Sequence, residues 1–134
     1  MTVRLLCDEM LVRLGRWLRA AGYDTLIAEC ASDDRILLET ALADGRVLLT
    51  RDRNLASRAN TPVRVIHMDS DGVPAQAQEL KCRLNVCWQH DPFTRCVVDN
   101  TPLRAADVHE ARKIPPNARA LAGAVSACPT CGRL

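Results

Sequence analysis

The chain reads as an α/β protein: a three-layer α/β/α sandwich on a central, mainly parallel sheet. Three observations predict this. Apolar runs of strand length each end in a carboxylate: Val3-Arg4-Leu5-Leu6-Cys7 at Asp8, Val47-Leu48-Leu49-Thr50 at Arg51-Asp52, and Val63-Arg64-Val65-Ile66-His67-Met68 at Asp69. Between the runs lie stretches with apolar residues at helical spacing. The links are short, and strand–helix alternation with short links implies right-handed crossovers and parallel pairing.

After Asp8, Leu11, Leu14, Leu18 and Ala21 form a helical core stripe, and Gly22 is placed to end the helix in a left-handed cap. Arg13, Arg16 and Arg19 advance by three along another face of that helix. They read either as a solvated face or as phosphate contacts beside Asp8. Tyr23–Ala28 is the second strand. Ser32-Asp33-Asp34 opens a helix running to about Ala43, with Ile36, Leu37, Leu38, Ala41 and Leu42 as its apolar face and Gly45 as its stop. A short helix is expected from Arg53 to Ala59, then a turn at Asn60-Thr61-Pro62. Ser70–Pro74 is a loop, and Ala75 to about Leu84 is the last helix of the unit. The pattern breaks near Asn85–Pro92, so two parts are expected: residues 1–90, and a small segment over 91–134.

Composition narrows the functional classes. At 134 residues the chain can bury a real core. Aromatics make up 3%, which argues against rows of base-stacking residues. Of 18 basic residues 16 are Arg, whose planar fork matches phosphate oxygens, although a GC-rich genome gives the same bias. No apolar stretch is long enough to span a membrane. Seven cysteines, an odd number without a leader, fit reduced thiols in a cytoplasm better than a disulfide scaffold.

In a parallel sheet, ligands bind outside the carboxyl ends of the strands. Most of Asp8, Glu9, Asp33, Asp34, Asp52, Asp69 and Asp71 are expected to gather at that edge, with Asp69 and Asp71 in a loop. Two unit charges ~4 Å apart repel by about 4 kcal/mol at an effective dielectric of 20. Such acids must spread, pair with arginine, protonate or share a cation, and an all-oxygen set suits Mg2+ or Mn2+. Taken singly, Asp8, Asp33 or Asp34, and Asp52 each also read as helix N-caps. No Gly-x-Gly-x-x-Gly and no Gly-x-x-x-x-Gly-Lys loop is present, which argues against a nucleotide cradle. The two lysines, Lys81 and Lys113, follow no strand, unlike the late lysine of a phospho-acceptor receiver domain.

Cys128-x-x-Cys131-Gly132 has the spacing of a zinc knuckle, and Cys96-x-x-Asp99 is its partner, so Cys96, Asp99, Cys128 and Cys131 are candidate Zn2+ ligands. Free thiols are the alternative. Cys7, Cys30, Cys82 and Cys87 read as packing or incidental.

Several of these pieces resemble the Mut-seven C-terminal RNase domain family, a branch of the PIN-like nucleases. They are Leu6-Cys7-Asp8-Glu9-Met10-Leu11, Gly15-Arg16-Trp17-Leu18-Arg19-Ala20-Ala21-Gly22-Tyr23-Asp24, Ser32-Asp33-Asp34 and Gly45-Arg46-Val47-Leu48-Leu49-Thr50-Arg51-Asp52. Phe93-Thr94-Arg95-Cys96, Asn100-Thr101-Pro102-Leu103, Ile114-Pro115-Pro116 and Cys128-x-x-Cys131-Gly132 resemble that family's carboxyl-terminal zinc ribbon, with Asp99 where the ribbon pattern has Cys. The resemblance implies a PIN-like nuclease domain over 1–90 and a degenerate or truncated zinc-ribbon-like segment over 91–134. It implies catalytic acids at Asp8, Asp34 or Asp33, and Asp52, with Asp69 or Asp71 as a fourth, and a basic motif at Arg16, Arg19 and Arg51. Arg13 joins them as an RNA contact from its place on the helix.

The function expected is a ribonuclease dependent on Mg2+ or Mn2+ held by Asp8, Asp34 and Asp52, cutting internally, with Zn2+ as a structural ion. RNA, single-stranded or structured, is the partner; a monomer and a dimer both suit the sequence. A non-catalytic RNA- or ribosome-binding adaptor is the alternative. A toxin of a toxin–antitoxin pair fits less well, because such toxins are usually single compact domains.

Overall fold

The computed structural model describes residues 2–28, 33–58, 63–117 and 125–133. Four strands, β1 (Leu5–Cys7), β2 (Thr25–Ile27), β3 (Val47–Thr50) and β4 (Val65–His67), form one sheet in the order β2-β1-β3-β4. Every pairing is parallel, with Leu5 opposite both Thr25 and Val47, and Leu48 opposite Val65. The helices are α1 (Val12–Ala20), α2 (Asp34–Asp44), α3 (Arg53–Arg58) and α4 (Val73–Leu84). The expected start of α2 at Ser32, the end of α3 at Ala59, the Asn60–Pro62 turn and Cys30 lie outside the described residues.

Strand side chains alternate between faces, and the core divides accordingly. Leu5, Cys7, Leu49 and Ile66 pack with Leu11, Leu14, Leu18 and Leu80 on the α1/α4 face. Leu6, Leu48 and Val65 pack with Leu37, Ala41, Leu55 and Val63 on the α2/α3 face. This is the expected three-layer α/β/α sandwich. Burial pushes the Cys7 thiol up to about 12, aided by the neighbouring Asp8 charge and opposed by Arg19, so Cys7 behaves as an apolar core residue.

Strand order reverses between β1 and β3. Such a reversal leaves a crevice at the carboxyl ends of the two central strands. Asp8 follows β1 and Asp52 follows β3, so the sheet brings both acids to that crevice.

The carboxyl-terminal segment adds β5 (Arg104–Ala105), α5 (Val108–Arg112) and β6 (Ser126–Ala127), with β5 and β6 antiparallel. Asp107 and Glu110 close α5 with a reciprocal capping box. The approach to this segment is fastened to α1. The backbone N–H groups of Asp91 and Phe93 donate to Ala21 and Ala20 at 2.9 and 2.8 Å. Gly22 permits this, because it sits at φ +100° and a Cβ there would come within 2.3 Å of the Asp91 carbonyl oxygen. His90 stacks on Tyr23, with ring centres 4.7 Å apart. No described helix is long and apolar enough to cross a membrane.

Candidate active site

Asp8, Glu9, Met10, Asp34 and Asp52 line one small cleft of about 60 Å³, together with Ala28, Leu37 and Leu55. Asp8 is the deepest of the acids, with 5% of its surface exposed. It caps a single 3₁₀ turn, Glu9–Leu11, which delays the start of α1: its Oδ1 accepts from the Met10 N–H at 3.0 Å. Its Oδ2 accepts a very short bond from the Thr50 hydroxyl and a long one, 3.4 Å, from the Arg51 N–H. Thr50 Oγ1 in turn accepts from the Asp52 N–H at 3.0 Å. One buried hydroxyl at the end of β3 therefore ties the two central acids together. Thr50 lies within the Gly45–Asp52 piece that resembles the family, but only its place as a hydroxyl residue ending an otherwise aliphatic strand hints at this role.

The capping readings hold alongside the cleft. Asp52 Oδ1 accepts from the Asn54 N–H at 2.8 Å, at the start of α3. Asp33 is the N-cap of α2, accepting from Arg35 at 2.9 Å, and is exposed. Asp34, in the first turn of α2, is the member of that pair that borders the cleft.

Asp69 lies elsewhere. It follows β4, the strand beside β3, and is not among the residues that line the cleft. Its carboxylate is 2.9 Å from His67 Nδ1, and the other ring nitrogen of His67 is 3.1 Å from the Arg51 carbonyl. The loop is organised by Glu79 of α4, which accepts from the backbone N–H groups of Asp69 and Ser70 and pairs with Arg83 at 2.6 Å. Burial would raise the Glu79 carboxyl, but these donors hold it at about 2. Arg51 braces the same loop by donating to the Ser70 carbonyl.

The arginines of α1 separate. Arg13 and Arg16 are exposed, but Arg19 is 6% exposed. Arg19 Nε donates to Thr25 O at 2.8 Å, and Nη1 donates to the carbonyls of Val97 and Val98 at 3.1 and 3.0 Å. The expected phosphate contact at Arg19 is therefore replaced by a structural one. At 3.6 residues per turn, six residues rotate the side chain about 120° away from Arg13, off the solvent face.

Asn100, at φ 70°, extends the same junction: Oδ1 accepts from Thr25 N–H at 3.0 Å and Nδ2 donates to Asp24 at 2.7 Å. Asp24 also pairs with buried Arg46 at 2.8 Å. Burial favours the neutral acid there, but Arg46, Asn100 and Arg95 outweigh it and hold the carboxyl at about 2.

Cys96, Asp99, Cys128 and Cys131 converge, with ligand atoms all within 4.8 Å of one another. It is the one such grouping among the described residues; the cleft acids line an opening rather than a closed cage. Tetrahedral zinc, with sulfur at ~2.3 Å and oxygen at ~2.0 Å, spaces two sulfurs by about 3.8 Å and sulfur from oxygen by about 3.5 Å. Cys96 and Cys131 have their sulfurs 3.7 Å apart, and Cys128 Sγ is 3.4 Å from Asp99 Oδ2. Burial raises the Cys128 thiol, but the N–H groups of Cys131 and Thr130 outweigh it and pull it below its ordinary value. Asp99 is held well below the usual carboxylate range by the Thr101 N–H. The set could bind a metal, and its chemistry fits zinc. Cys82 and Cys87 are exposed and stand apart from it.

No curated protein and no solved structure matches the chain. The family model described as the Mut7-C RNAse domain matches residues 3–134, in agreement with the resemblance carried by the acid and arginine motifs. That description points to a nuclease-type function with RNA as its substrate class, and the chain belongs to the Mut7-C RNAse domain family.

Proposed function

We propose that this chain is a divalent-metal-dependent ribonuclease that cuts RNA internally by phosphodiester hydrolysis. The observation that carries the reading is the meeting of Asp8, Asp34 and Asp52 in one cleft at the point where strand order reverses. The donor set is all oxygen, which suits Mg2+ or Mn2+. Mg2+ in particular binds through one or two carboxylates plus substrate phosphate and keeps several waters, so an open cleft fits it better than a closed cage does. When bound, such an ion supplies activation of water and stabilisation of charge on phosphoryl oxygens.

The chain's own residues do the rest. Thr50 fixes the Asp8 carboxylate, and the α3 cap fixes Asp52, so both acids are pre-oriented. Water adds to phosphorus, the bond to one ester oxygen breaks, and that oxygen leaves with a proton. Arg13 and Arg16 hold flanking phosphates without reading sequence. Zinc at Cys96, Asp99, Cys128 and Cys131 has a structural role.

One observation favours the adaptor reading. Both Asp8 oxygens and Oδ1 of Asp52 already accept protein hydrogen bonds, so these acids would be kept in a protein that only binds RNA. The two readings part on a circular single-stranded RNA, which has no ends and reports internal cutting alone. Cleavage is expected with Mg2+ or Mn2+ and not with chelator. Asp8→Asn and Asp52→Asn are each expected to slow it by on the order of 10²–10³. Variants that cut as fast as wild type would refute the site, and RNA binding without cutting would favour the adaptor.

A further inference from the structure

Arg13 and Arg16, assigned above to flanking phosphates, share a groove with an aromatic residue that has no role there. Arg13, Arg16 and Trp17 on α1 form one wall of an open groove of about 600 Å³, and Gly72, Val73 and Pro74 at the start of α4 form the other. Trp17 is 49% exposed, so half of a large aromatic surface faces the groove. Its ring is held in place: Trp88 meets it in a T-shaped contact, with centres 6.3 Å apart and planes at 81°. Trp88 is itself fixed by an indole N–H bond to the Ala77 carbonyl at 3.1 Å. A T-shaped contact covers at most one face of the Trp17 ring.

Arg13 and Arg16 are exposed and have no ion-pair partner among the described residues, and the facing wall carries no charge. The groove therefore combines two open guanidinium groups with one rigid, half-open indole. A single strand of nucleic acid offers the matching chemistry, phosphate charge with unstacked bases between. A duplex offers the phosphates but keeps its bases inside. The wall is continuous with the cleft in sequence: Asp8, Glu9 and Met10 line the cleft, and Arg13 lies in the first turn of the next helix. Arg13 and Trp17 are four residues apart, ~6 Å along the helix axis.

We propose that Trp17 is a nucleobase-stacking residue, and that the groove holds unpaired nucleotides of an RNA strand leaving the acid cleft. The proposal rests on the ribonuclease reading for its direction along the strand. It makes the enzyme selective for single-stranded RNA through one aromatic platform rather than a row of them.

The test is binding, measured with Mg2+ in an Asp8→Asn background so that cleavage does not intervene. The probes are a labelled oligoadenylate octamer, its abasic counterpart and an RNA duplex of equal length. Trp17→Ala is expected to weaken octamer binding about 5- to 150-fold, the range for losing one base–aromatic stack. Trp17→Phe should retain most of the affinity, and the abasic probe should not distinguish the variants. The chain has two tryptophans, so Trp88→Phe leaves Trp17 as the sole indole, whose fluorescence the octamer should quench. Equal octamer affinity for Trp17→Ala and its parent would overturn the proposal. So would an equal loss on the abasic probe, or displacement of the octamer by an acidic peptide of the same charge at the same concentration. If wild type cuts no RNA while base-dependent quenching persists, the ribonuclease reading fails and the stacking assignment stands.

Discussion

The acid cleft and the Cys96–Asp99–Cys128–Cys131 cluster solve opposite problems. In the cleft, carboxylates that follow β1 and β3 and one from the first turn of α2 line one opening, with Asp8 steadied by the Met10 N–H and the Thr50 hydroxyl and Asp52 by its own helix cap. In the cluster, three sulfurs and a carboxylate already stand within ligand distance of one another. An open set of hard oxygens leaves room for water and substrate, whereas a closed sulfur-rich set leaves none. On the proposed reading, the difference teaches that one chain can separate a metal site suited to exchange from one suited to permanence, by ligand type and by closure.

Replacing one ligand on each side gives the widest contrast. Cys128→Ser is expected to remove bound zinc and to lower the melting temperature by roughly 10 °C, on the order of 3 kcal/mol. Cleavage well below the melt should change little. The Asp8→Asn variant should show the reverse, full zinc content and little loss of melting temperature. Elemental analysis and thermal melts decide it; a Cys128→Ser protein that melts normally but cannot cut would invert the assignment.

A smaller effect is expected where the two regions meet. Arg19→Met keeps the apolar stem but abandons the carbonyls of Thr25, Val97 and Val98. The loss should be about 2–4 kcal/mol in urea unfolding. Amide exchange should rise over 94–102, beside the cluster, more than at β3, beside the cleft. Lysine should not rescue it, lacking the fork that reaches several acceptors at once.

The smallest effect is in acid. Asp24 and Glu79 both titrate at about 2 in the folded chain, below their ordinary values of 3.8 and 4.5. Each contributes stability that is complete above its ordinary value and is lost as pH falls toward about 2. Urea midpoints should therefore be flat above about pH 5 and decline below it. Asp24→Asn should flatten the decline chiefly at the junction with the tail, and Glu79→Gln chiefly at the Asp69–Ser70 loop.

Much of this was legible in the residues. Aliphatic runs ending in Asp8 and Asp52 were enough to predict parallel strands and a shared edge, because period and punctuation are local signals. The strand order 2-1-3-4 was not local, and neither was the packing by which Asp34 borders the cleft and Asp69 does not. Arg19 was hidden for a related reason: a three-residue spacing looks like one face over a single turn but rotates away over two. Thr50 and Glu79 act through hydrogen bonds to partners 42 and 10 residues away, and no pattern in the chain announces such pairings.

The guanidinium of Arg19 also limits how this protein can be recombined. A hybrid that takes the first helix from one relative and residues 97–98 from another would leave either a buried cation short of acceptors or carbonyls without their donor. Cutting the chain near residue 91 has the same result, since Gly22 is shaped to receive that crossing. Tail and first helix are thus expected to be inherited as a matched pair rather than traded as separate cassettes.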